Sequence, residues 1–90
     1  MTLGEYAQQI ASVILKHGQE SSTALKLIAA TEGKLLDRNI PTLDRKWFWG
    51  EVANQMTAQR PLAEVALGGD GLSHAREKVL EHLGRMREQP

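Results

Sequence analysis

The sequence predicts an all-α fold, a compact bundle of four to five short helices forming one domain over residues 1–90. Three observations lead there. Apolar residues recur at spacings of three and four through most of the chain, the signature of helices with one buried face. Glycine, proline and capping residues punctuate the chain at helix-length intervals. No segment alternates apolar and polar residues for long enough to make a strand.

The first helix is expected over about 3–17. Thr2-Leu3-Gly4-Glu5 is a capping box, in which the Thr hydroxyl accepts from the amide of residue 5 while Glu5 reaches back. At about 100° per residue, Leu3, Tyr6, Ala7, Ile10, Val13, Ile14 and His17 share one face. Gly18 stops the helix, with Lys16 and His17 in the last turn where the dipole favours positive charge. The second helix, about 22–36, is capped by Ser21 or Ser22 and carries the stripe Ala24, Leu27, Ile28, Thr31 and Leu35, widened by Leu25, Ala29 and Leu36. Asn39-Ile40-Pro41 turns the chain, because a residue preceding Pro is pushed out of helical geometry. Thr42 caps a third helix, about 43–59, which Pro61 is expected to end. A short fourth helix follows over 62–67, with Pro61 suited to its first position. Gly68-Gly69-Asp70-Gly71 is expected to be flexible. The last helix, about 73–87, places Leu72, Ala75, Val79, Leu83 and Met86 on one face.

Composition narrows the function classes. Eleven basic residues balance eleven acidic ones, five against five through Arg45 and six against six beyond it. No region has the basic excess that announces a nucleic acid or an anionic membrane. The chain has no cysteine, which removes disulfides, thiolate catalysis and thiolate metal sites together. The start has no basic region followed by a long apolar run, and no stretch reaches membrane-spanning length. The expectation is a cytoplasmic protein without a cofactor.

Motifs that carry chemistry are weak. Gly68-Gly69-Asp70-Gly71 follows a helix rather than a strand and has no Lys-Ser/Thr behind it, so it reads as a hinge and not a phosphate cradle. His74 and Glu77 are spaced to share a metal, but Lys78 and Arg85 lie along the same side and His82 sits about 80° round from His74. No metal site is expected. There is no nucleophile elbow, and the carboxylates lie scattered on polar faces. No catalytic residue is nominated. Ala29 and Gly33 have the spacing of a helix-turn-helix, and a recognition helix restarted at Thr42 would offer Arg45, Lys46 and, further on, Arg60 to phosphates. The zero net charge and Ile40-Pro41 argue against this DNA-binding reading, which stands as the alternative.

The informative feature is Trp47-Phe48-Trp49, three of the four aromatic residues of the Phe, Trp and Tyr types in consecutive positions. Consecutive helical residues point about 100° apart, so the three cannot share one face. Phe48, Trp49, Val52, Ala53 and Met56 belong together, whereas Leu43, Trp47, Gly50 and Asn54 lie opposite. A thin core favours burying the helix on both sides. Otherwise the Trp47 side faces a partner, since Trp is enriched among binding hot spots. The functional expectation is a non-enzymatic protein-binding module, an adaptor or inhibitor of a larger assembly, using Leu43, Lys46, Trp47 and Asn54. A small helical enzyme is the second alternative. Leu15, Leu25, Leu36 and Leu80 fall beside their helices' apolar faces, which points to a homodimer.

Overall fold

The computed structural model describes residues 1–18, 20–67 and 69–88, with only the backbone described for residues 21, 60–67 and 69–74. Four helices stand among the described residues: α1 (Leu3–His17), α2 (Ser21–Asp37), α3 (Thr42–Leu67) and α4 (Gly69–Arg87). The all-α expectation is met, and among the described residues no helix is long and apolar enough to cross a membrane.

Local chemistry sets the helix ends. The Thr2 hydroxyl accepts from the Glu5 amide at 3.1 Å, and the same hydroxyl donates to the Glu5 carboxylate at 3.1 Å. This is the capping pair in a variant where Glu5 reaches the hydroxyl rather than the backbone. Gly18 closes α1 because a Cβ there would lie 2.7 Å from the Ile14 carbonyl oxygen and 3.4 Å from the Ala24 Cβ. The glycine lets α2 start close against the end of α1. No side chain caps α2, whose flanking residue is Glu20 and not one of the serines. Its far end is a Schellman turn. Asn39 adopts φ 59°, its amide donates to the Leu36 carbonyl, and the Ile40 amide donates to the Leu35 carbonyl at 3.1 Å.

Two boundaries differ from expectation. α3 runs through Pro61 to Leu67 as one helix, so the short fourth helix is its continuation. A helix-interior proline removes one backbone hydrogen bond and opposes the helix by about 3 kcal/mol. The good helix formers of Leu62-Ala63-Glu64-Val65-Ala66-Leu67 carry it on. The last helix opens at Gly69 and not near Ser73, so the expected hinge is helical from Gly69 onward, and Gly68 lies outside the described residues.

The helices run up-down-up-down. Gly4 meets Trp47 and Ser12 bonds Gln59, so α1 and α3 are parallel. Glu32 meets His82, and Leu36 shares a groove with Arg85. One core unites them, built from Ala7, Ala11, Ile14 and Leu15 of α1, Ile28 and Leu35 of α2, Phe48 to Met56 of α3, and Ala75 to Met86 of α4. The α3 aromatic face is buried as expected. On α2, Ala24, Ile28, Thr31 and Leu35 are buried and Leu27 half-buried, whereas Leu25, Ala29 and Leu36, expected to widen the stripe, are exposed. The core face of α1 is rotated from the expected one. Leu15 is buried beside Ala11, whereas Val13 and His17 are exposed. Tyr6, Phe48, Trp49 and His82 form a continuous ring contact through the bundle, with centroids 5.4, 5.1 and 4.9 Å apart. The last two contacts are edge-to-face, a preferred aromatic geometry.

Candidate functional site

Trp47 and Trp49 are two positions apart on α3 and point to opposite environments. Trp49 is fully buried, whereas Trp47 is 52% exposed. Burial of α3 on both sides is therefore not what the fold adopts. On α3 the core is supplied by Phe48, Trp49, Val52, Ala53 and Met56, and the Cη2 of Trp47 stands 3.5 Å from where a Cβ on Gly4 would lie.

Beside Trp47, an open groove of about 450 Å³ runs between α3 and the end of α4. Leu43, Lys46, Trp47 and Asn54 all line it, joined by Gly50, Glu51 and Arg87. The spacing 43, 47, 50, 54 follows one helical stripe, which is why the sequence grouped these residues. Arg87 and Glu51 were not anticipated. Arg87 arrives from a different helix, so no spacing within α3 reveals it. Leu43, 77% exposed, and Trp47 are its large apolar residues, and Lys46, Glu51 and Arg87 are its charged ones. Such a surface suits an amphipathic partner segment.

Of the three residues weighed for phosphate contact, Arg45 and Lys46 have described side chains. Arg45 turns inward: its Nη1 donates to the Ile40 carbonyl at 2.7 Å, its Nη2 to the Thr42 hydroxyl at 3.3 Å, and its Nε lies 2.6 Å from Glu32 Oε1. The last contact is an ion pair by distance, with an N–H direction outside hydrogen-bond geometry. Lys46 lies in the Trp47 groove, and the side chain of Arg60 lies outside the described residues, as does that of His74.

Glu32 is the polar residue that sequence reasoning missed. Its side chain is 16% exposed and joins three helices. Besides the Arg45 pair, Oε2 accepts from the Trp49 indole N–H and lies 3.1 Å from His82 Nε2. A carboxylate only accepts, so His82 bonds it by presenting Nε2–H. A buried Trp N–H needs an acceptor, and that requirement was the available signal: a buried Trp49 called for an acidic or carbonyl partner on a facing helix. The cluster fixes α2 onto α3 and α4. It is an internal clamp, closed by its own partners.

Comparison with protein-family models, with curated proteins and with solved structures finds no match to this chain.

Proposed function

We propose that the chain is a non-enzymatic, cytoplasmic protein-binding module, an adaptor or inhibitor of a larger assembly, that engages its partner through Leu43, Lys46, Trp47 and Asn54. One observation carries the reading. Trp47 stands half exposed in a groove with Leu43 while the core beneath is already filled by Trp49. Trp47 stands outside the buried core cluster. Large amphipathic side chains on a concave surface that also carries charge are the usual anchors of protein interfaces.

The test uses affinity capture from the native host's lysate with wild type, Trp47→Ala and Val13→Ala chains. A bound protein retained by Val13→Ala and lost by Trp47→Ala is the expected result. Identical capture by all three would overturn the reading. Titration with labelled duplex at two salt concentrations checks the DNA-binding alternative. Its signature is tight binding that weakens steeply with salt, because phosphate contacts release counterions. The inward engagement of Arg45 speaks against that signature.

A further inference from the structure

We infer that the outward face of α2 docks a second copy of this chain, with the two α2 helices antiparallel across a two-fold axis. A groove of about 520 Å³ lies between α2 and α4, lined by Leu25, Ile28, Ala29, Glu32, Gly33 and Leu36 with His82 and Arg85 at its α4 side. Leu25 and Leu36 are 43% and 52% exposed, although both line it. A face this apolar is covered best by another of its kind.

The pattern along α2 is complementary to itself in the antiparallel sense. Leu25 and Leu36 are eleven positions apart, three helical turns and about 20° round the axis. Lys26 and Asp37 are eleven positions apart too, about 100° round from the leucine pair and both exposed. Ala29 and Gly33 lie between the members of each pair. The midpoints of the three pairs fall within about one residue of one another, roughly 1.5 Å along the axis.

A two-fold axis at that level places Leu25 on the partner copy's Leu36 and Ala29 on its Gly33. It also brings Lys26 to Asp37, and each contact occurs twice. An isologous interface requires this kind of self-complementarity. A Cβ on Gly33 would meet nothing within 4 Å, so the small residues leave room for the helices to approach. In a parallel two-fold arrangement the flanks carrying Lys26 and Asp37 lie on opposite edges of the seam, so the two charges cannot meet. The charges select the antiparallel register. A 17-residue helix is about 25 Å long and falls short of the roughly 800 Å² per partner of a standard interface. The dimer should be weak, with a dissociation constant in the range of roughly ten to a few hundred micromolar.

Sedimentation equilibrium of the full chain from about 1 µM to 1 mM measures it. Wild type should show monomer and dimer in exchange. Leu36→Glu, on an exposed position, should raise the dissociation constant at least about tenfold. Lys26→Glu and Asp37→Lys should each weaken association about three- to tenfold, and the double reversal should restore it. Both reversals suit the helix dipole, acid toward the start and base toward the end, so neither threatens the fold. Trp47→Ala should leave the dimer unchanged. A chain that stays monomeric to 1 mM overturns the proposal and leaves the leucines to a different partner. So does association that ignores Leu36→Glu, that the double reversal fails to restore, or that Trp47→Ala abolishes.

Discussion

The inner and outer faces of α3 are built from the same kinds of residue and do opposite things. On the inner face Phe48, Trp49, Val52, Ala53 and Met56 are buried against α1 and α4, and the indole N–H of Trp49 is bonded by Glu32. On the outer face Leu43 and Trp47 are as apolar and remain in contact with water. Apolar character alone therefore does not decide burial in so small a bundle. What decides is whether a facing helix supplies both volume and a partner for the polar end. α2 brings Glu32 to Trp49, whereas Trp47 remains half exposed. The inner face maintains the fold, and the outer face is free for another use.

Removing the inner tryptophan should have the largest effect. Trp49→Ala leaves a large cavity beside Phe48 and His82, strips Glu32 of a donor, and should destabilise by about 3–5 kcal/mol. That approaches the whole stability of a small domain. Urea denaturation followed by circular dichroism should find the variant unfolded or barely folded. A stable Trp49→Ala chain would mean the inner face is not the core.

Glu32→Ala comes next. It leaves the Trp49 N–H, the Arg45 guanidinium and His82 without their shared acceptor. Orphaning a largely buried charge and a buried donor should destabilise by about 2–4 kcal/mol. Glu32→Gln keeps an acceptor oxygen and should lose less. A double-mutant cycle with Arg45→Ala should show coupling of at least about 1 kcal/mol, and additive effects would dissolve the clamp as described.

Trp47→Ala sharpens the comparison most directly. The side chain is half exposed, and solvent fills the space it vacates, so the stability loss should be about 1 kcal/mol. Affinity for the captured partner should fall by at least about 2 kcal/mol, as for a hot-spot residue. If Trp47→Ala melts as early as Trp49→Ala, the two faces are energetically alike and the binding reading fails.

The sequence revealed what depends on a single helix. The capping pair at Thr2 and Glu5, the buried stripe of α2 and the division of α3 into two faces follow from a 3.6-residue period and local hydrogen bonding. It concealed what depends on facing helices. Glu32 sits beside an apolar stripe and next to Gly33, and reads as a polar residue near a helix end. Only the approach of α3 and α4 makes it the centre of a cluster. Arg45 resembled a phosphate contact for the same reason, since its acceptors lie on α2 and in the preceding turn. Leu15 was set aside as peripheral because the wheel of α1 was centred on the largest side chains. The bundle turned Ala11 and Leu15 inward beside the expected Ala7 and Ile14. Pro61 misled in another way: its penalty is finite, and the segments on both sides are strong enough helix formers to carry it.

The smallest effect separates fold from function most cleanly. Gly50 of α3 and Gly84 of α4 are both in helices, and a Cβ added to either meets nothing within 4 Å. Glycine in a helix is worse than alanine by about 0.5–1 kcal/mol because the unfolded chain is freer. Gly50→Ala and Gly84→Ala should each stabilise by that amount, seen as equal rises in denaturation midpoint with unchanged slope. They should differ in binding, because Gly50 lines the Trp47 groove and Gly84 does not. A methyl group at position 50 intrudes where a partner's side chain would rest against Trp47, so Gly50→Ala should lower partner affinity about three- to tenfold, while Gly84→Ala should leave it unchanged. Equal affinities for the two variants would show that the groove beside Trp47 is not where the partner sits, whatever Trp47→Ala had done.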